Sequence, residues 1–325
     1  MRYSLIANPG ALRFVLALAV LLNHITVAQT GRGAVMLFFV LSGYWVADLW
    51  VKTPGPNRIA TFFLNRVLRI WPLYLAVMFF CAALRQHFPE WPELFLFGVA
   101  SEPFPRLIGT EWSLDIEVQF YAMLPLLAAI YARAPQWAWI TMLAGAAIIG
   151  WWLEVHGVVT AIKFLPVFAI GMAIQRSRWA PTPQLARASL ITFIALSVGQ
   201  IYLSQNHGAA LHLLFGNWPD DAIAAIWVVA LVPYVAASLH RPSTPNDRTL
   251  GDLSYPLYLV HMPVLLTMQE VYDWRTLPGA IALTVLIFAV TFVFWRALDR
   301  PAERMRKIIL ASRPFTRRYS EGAPA

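Results

Sequence analysis

The chain has 325 residues, of which 59% are hydrophobic and 13% charged, well under the roughly 25% charged residues of soluble domains. A lone cysteine, Cys81, excludes an intrachain disulfide and any multi-cysteine metal site. The net charge of +8 comes without the motif or aromatic context of a nucleic-acid binder, so its placement along the chain has to explain it.

The first apolar segment, 11–29, holds Arg13 and then no other charge before His24. Eleven residues of α-helix turn through about 1100°, so the two side chains fall within roughly 20° of one face, about 16 Å apart along the axis. Ionisable groups at membrane depth are costly and face a protein interior or a watered cavity. Thr26 and Ala28 have the look of a signal-cleavage site, but Arg13 inside the apolar stretch argues against one. Further spans are predicted at 34–51, 62–83, 113–132, 137–154, 160–175, 188–204, 222–239, 253–272 and 278–297. Leu94 to Ala100 and Ala209 to Phe215 are too short to cross and read as re-entrant or interfacial pieces. Placing the N-terminus inside leaves only Arg32, Arg85, Arg106, Lys163 and Arg275, of 25 basic residues, outside. That bias is the positive-inside rule. The expected fold is an all-α polytopic membrane protein of about ten transmembrane helices with both termini cytoplasmic. Residues 1–303 form the transmembrane domain and 304–325 a basic cytoplasmic tail that anchors topology. Glu111 and Asp115 read as solvated outer-loop charges. The acids Glu90, Glu93, Glu102, Asp220 and Asp221 read as solvated too, with acceptor contact as the alternative.

Four further motifs accompany the Arg13–His24 pair. The second span opens Gly33-Ala34-Val35-Met36-Leu37-Phe38-Phe39-Val40-Leu41-Ser42-Gly43-Tyr44, and the third Phe62-Phe63-Leu64-Asn65-Arg66-Val67-Leu68-Arg69-Ile70-Trp71-Pro72. The fourth begins Glu111-Trp112-Ser113-Leu114-Asp115-Ile116-Glu117-Val118-Gln119-Phe120-Tyr121, and the ninth reads Leu250-Gly251-Asp252-Leu253-Ser254-Tyr255-Pro256-Leu257-Tyr258-Leu259-Val260-His261. In this order, over residues 8 to 302, they resemble the acyltransferase-3 family of integral membrane O-acyltransferases. The resemblance implies transfer of an acyl group, acetyl above all, from cytoplasmic acyl-CoA to a hydroxyl of a saccharide or lipid-linked glycan. It also implies a bacterial-type inner membrane, membrane lipid and glycan as partners, no nucleic acid and no metal. Three positions depart from the family pattern: an acid three residues before Arg13 is replaced by Gly10, an acid before Leu37 by Met36, and an acid after Glu117 by Val118.

The residues supply fitting chemistry. His24 can take the proton of an attacking alcohol, directly or by way of an acyl-histidine. Arg13 can bind donor or stabilise an oxyanion, or snorkel as an end residue. Arg66 and Arg69, i,i+3 neighbours at the cytoplasmic mouth of the third span, suit CoA phosphates, or simply add to the positive-inside charge. Ser113, Glu117 and Tyr121 share a face at the outer end of the fourth span. Glu117 is expected to orient His24, bind sugar or form a structural ion pair. Trp112, Ser113, Tyr121, Tyr258 and His261 are expected to line the substrate site, with interhelical hydrogen bonding as the other use of Ser254, Tyr258 and His261. Ser42 reads as a close-packing position beside Gly43. The rival to an enzyme is a proton-coupled transporter built on Arg13 and His24.

Overall fold

Proline opens four of the helices, at Pro9, Pro183, Pro219 and Pro245, where its missing N–H costs nothing and its fixed φ suits the first turn. Apolar runs carry them onward. The computed structural model describes residues 6–26, 30–53, 55–102, 106–206, 219–269, 273 and 275–311. The Ala28 site, the Ala209–Phe215 piece and the tail beyond 311 lie outside them, and nothing is described of the Asp220 and Asp221 side chains. Among the described residues there is no strand. In chain order come α1 (Pro9–Ile25), α2 (Gly31–Lys52), α3 (Arg58–Arg85), the short α4 (Trp91–Phe95), a 3₁₀ turn (Val99–Ser101), α5 (Glu111–Arg133), α6 (Gln136–Val155) and α7 (Ala161–Ser177). Then follow α8 (Pro183–Asn206), α9 (Pro219–Leu239), α10 (Pro245–Met268), α11 (Leu277–Phe294), a π turn (Trp295–Asp299) and α12 (Arg300–Ala311).

Each of the spans predicted from the sequence overlaps a helix among the described residues. Two boundaries differ most. Helix α10 starts at Pro245, a full two turns before the predicted 253, because Thr244 accepts a hydrogen bond from the Asp247 N–H and caps it. At the other end the chain stays helical to Ala311 instead of leaving the helix after 297. Pro301 has no N–H to give the preceding turn, and the π turn absorbs that fault, with Arg300 N–H reaching Trp295 O. By length and composition, α2, α3, α5, α6 and the stretch Leu277–Ala311 are able to cross a membrane; α1, Pro183–Gly199 and Ala224–Leu239 are shorter apolar helices. Outward-facing Ile148, Ile149, Trp152, Val285 and Val293 suit lipid.

The chain divides into two units, Met1–Tyr44 with Val167–Ala289, and Trp45–Pro166 with Val290–Ala325. In the first, Ala17, Leu21, Leu257, Leu265, Leu283 and Ile287 form a buried core. Helices α2 and α7 cross so closely that a Cβ on Gly171 would sit 1.9 Å from Val40 O, and one on Gly43 2.1 Å from Phe168 O. Close packing at Gly43, beside Ser42, is therefore real. Pro233 interrupts α9, and Ser189 of α8 repairs the break. Its hydroxyl donates to Ala230 O and accepts from Tyr234 N–H at 3.3 Å, standing in for the bond the helix lacks. In the second unit Trp50, Phe62 and Tyr121 pack edge to face, and Lys163 pairs with Glu154 between α7 and α6.

Candidate active site

The first unit sets α1 beside α10, running the same way. Their starts meet where Asp247 accepts hydrogen bonds from Gly10 N–H at 3.1 Å and Ala11 N–H at 2.7 Å. A helix N-terminus favours a carboxylate through its unpaired N–H groups and its dipole. Position 10 lacks the acid of the family pattern, yet a carboxylate still reaches that place, from another helix. Glycine there is a steric necessity: a Cβ on Gly10 would lie 1.9 Å from Asp247 O, and one on Gly251 3.1 Å from Gly10 Cα. The same end of α1 is tied to α9, with Ala7 N–H on Tyr234 Oη, Ser238 Oγ on Ala7 O and Arg241 Nε on Asn8 Oδ1, each 2.8 Å.

This pairing carries Arg13 and His24 down one helix and Gly251 and His261 down the other. The Arg13 Nη1 lies 3.7 Å from the point where a Gly251 Cβ would stand. Further along, the His24 and His261 rings face each other with centroids 5.4 Å apart and planes inclined 32°. His261 is fully buried, and its Nδ1 lies 3.1 Å from Leu257 O. A carbonyl only accepts, so Nδ1 carries the proton and Nε2 is the lone-pair nitrogen. That Nε2 is buried with no hydrogen-bond partner among the described residues. Tyr258 packs 6.0 Å from His261 and 6.1 Å from Phe38. Ser254 spends its hydroxyl on Gly251 O of its own helix.

The second unit gathers the other predicted residues. Asn65 Oδ1 accepts from Arg66 Nη2 at 2.7 Å. The Arg66 guanidinium stands 5.7 Å from the Tyr121 ring, and Tyr121 Oη donates to Glu117 Oε1. Sequence placement put Arg66 and Glu117 at opposite mouths of their spans. Tyr121 lies midway along α5, one turn beyond Glu117, and it is this ring that Arg66 meets. Arg69 turns instead to Asp299 at 3.2 Å and to Glu303 at 4.0 Å. Ser113 donates to Thr110 O at the start of its own helix, and Trp112 packs 6.4 Å from Phe164.

Glu111 and Asp115 are corrected by the structure: both are fully buried, not solvated. Asp115 accepts from Ala100 N–H and from Gln119 Nε2, both at 2.8 Å. Glu111 accepts from Ile108 N–H. Arg106, also buried, holds Ala100 O and Glu102 O. Burial pushes its guanidinium below the ordinary value, while the carboxylates of Glu111, Asp115, Glu102 and Glu93 pull it back up. The loop needs these groups because its backbone N–H and C=O groups have no helix to satisfy them. Glu93 is likewise engaged, accepting from Leu107 N–H and Glu90 N–H.

Sequence reasoning passed over Asp247, Asn65, Asp299, Glu303 and Arg306. Thr244-Pro245-Asn246-Asp247 carried a capping signal, and Asn65 adjoins Arg66. Asp299 of the π turn and Glu303 of α12 gave no local sign of their partners.

Comparison with known proteins adds the following. The acyltransferase-3 model, described as an acyltransferase domain, matches residues 6–296. Nodulation protein 10 of Rhizobium leguminosarum bv. viciae is 26% identical over 328 residues, covering 86% of this chain and 84% of that protein. No solved structure matches.

Proposed function

This chain belongs to the acyltransferase-3 family, and on that premise we propose that this membrane acyltransferase moves an acyl group, acetyl foremost, from cytoplasmic acyl-CoA to a hydroxyl of a cell-envelope or secreted saccharide. The proposed setting is an inner membrane crossed about ten times, with both chain ends cytoplasmic. The observation that carries the reading is the His24–His261 pair, set beside an apolar core and in register with Arg13.

His24 acts as general base. It takes the proton of the acceptor hydroxyl as that oxygen attacks the thioester carbonyl. The tetrahedral intermediate then breaks its C–S bond, and the departing thiolate takes the proton back from the imidazolium. Ester and free thiol result. The lone pair at His261 Nε2, locked in place by the Nδ1 bond to Leu257 O, is set to accept a hydrogen bond and so hold His24 or the acceptor hydroxyl in orientation. Arg13 lies about 16 Å along the helix from His24. It therefore serves the donor's remote, phosphate-bearing end better than a developing oxyanion. Arg66, with Tyr121 and Glu117 behind it, is assigned to the donor, and Trp112, Ser113 and Tyr258 to the lining of the substrate site. Arg69 supports this from its pairing with Asp299.

The test is transfer of labelled acetyl from acetyl-CoA into envelope saccharide by membranes holding matched amounts of wild type or His24→Ala. The proposal expects label with wild type and a loss of at least about 100-fold with the variant. Equal label would remove His24 from the chemistry.

A further inference from the structure

Arg306 lies ten residues beyond the stretch that the family model matches, yet it shares one atom with Arg66. Asn65 Oδ1 accepts Arg66 Nη2 and Arg306 Nη1, each at 2.7 Å. An amide oxygen has two lone pairs, and both are used here. The two cationic groups are thereby held within twice that distance of each other, around a side chain that is itself buried. Glu303 answers Arg306 through Nε at 2.8 Å and through Nη2. It also lies 3.7 Å from Lys307 and 4.0 Å from Arg69, while Asp299 holds Arg69. Three cations thus share two carboxylates. Arg66 has no carboxylate partner among the described residues, and its buried Nε has no hydrogen-bond partner there. Bringing a second guanidinium onto its oxygen raises the energy of the empty site, and an anion lowers it. Arg306 keeps two N–H groups beyond the three it has engaged. A phosphate, with several acceptor oxygens, matches two converging guanidinium forks better than any single-point anion.

We propose that Arg66 and Arg306, set together on Asn65, form the seat of a phosphate of the acyl-CoA donor. Arg306 is then a donor-binding residue and Asn65 a positioning residue. This rests on the acyl-CoA reading above. Helix α12 thereby closes the donor site from outside the family-matched stretch, and Glu303 keeps Arg306 in place when no donor is bound.

The experiment titrates purified full-length protein in neutral detergent with CoA, and in parallel with pantetheine, which carries the thiol arm without phosphate. It compares wild type, Arg306→Gln and Arg306→Lys, with thermal melts to verify folding. Expected is a loss of CoA affinity of about ten-fold or more for Arg306→Gln, partial recovery with lysine, and no change in pantetheine binding. Turnover at saturating donor stays within about two-fold. Arg306→Gln that binds CoA as wild type does, or that loses CoA and pantetheine equally, overturns the proposal while leaving the donor reading intact. Wild type that binds CoA no better than pantetheine overturns the donor reading itself. Phosphatidylglycerol vesicles are the remaining arm. If they displace CoA from wild type but not from Arg306→Gln, the seat belongs to a lipid phosphate and the donor assignment falls.

Discussion

The two histidines and the two arginines are brought together by opposite means. His24 and His261 meet because α1 and α10 lack side chains where they cross: Gly10 and Gly251 let the backbones touch, and a single carboxylate, Asp247, fixes the register. Arg66 and Arg306 meet through polar links on Asn65, which lies 241 residues from Arg306 in sequence, with Glu303 holding Arg306. The first arrangement suits groups that must gain and lose a proton, since among the described residues no carboxylate is ion-paired with either ring. The second suits a fixed positive field waiting for an anion. Steric closeness sets the base, and charge sets the cradle.

That contrast can be broken on either side. The largest expected effect falls on the charged side. Arg69→Ala takes away the cation 3.2 Å from the buried Asp299, which costs about 3 kcal/mol and lowers the melting temperature in detergent. Adding Asp299→Asn restores most of it, whereas a double variant as unstable as the single would show that the pair is incidental. On the steric side, Gly10→Ala drives a Cβ to 1.9 Å from a backbone oxygen that cannot swing aside. Overpacking of this kind costs about 2 kcal/mol, readable as a lower melt and reduced folded yield; a wild-type melt would mean that α1 and α10 are free to separate. Asp247→Ala removes the carboxylate from the Gly10 and Ala11 N–H groups, worth about 1 kcal/mol as a helix cap, and Asp247→Asn recovers part of it. The smallest change is a control. Gly145→Ala has open space around its new Cβ and should raise stability by about 0.5 kcal/mol through helix propensity alone. Destabilisation there would mean that helical glycine in this chain is guarded for reasons other than close approach.

How much of this was legible in the sequence follows the same division. The Arg13–His24 register could be read because an α-helix of known pitch fixes it, and hydropathy alone located the long apolar helices. The start of α10 was placed late because charged and polar residues from Pro245 to Asp252 mask the helix, although Thr244 and Asp247 signalled its cap. Burial of Glu111 and Asp115 was not legible. Nothing local distinguishes an acid facing water from one that satisfies a loop's N–H groups, and the partners at Ala100 and Ile108 become neighbours only when the loop folds back. The Asn65–Arg306 link was hidden for a related reason: hydrogen bonds between residues so far apart have no periodic signature. Glu117 shows the limit most plainly. Its face on α5 was read correctly, but its bond to Tyr121, and through that ring its proximity to Arg66, needed the structure.

The most direct test separates the two regions kinetically. Initial rates of acetyl transfer would be measured against acetyl-CoA concentration for purified wild type, His24→Gln and Arg66→Gln at matched folded protein. A proton-taking His24 and a donor-seating Arg66 predict that the histidine variant loses kcat by at least about 100-fold with donor KM nearly unchanged, while the arginine variant raises donor KM by about ten-fold and keeps kcat. A histidine variant that changes only KM, or an arginine variant that changes only kcat, would contradict that division of labour.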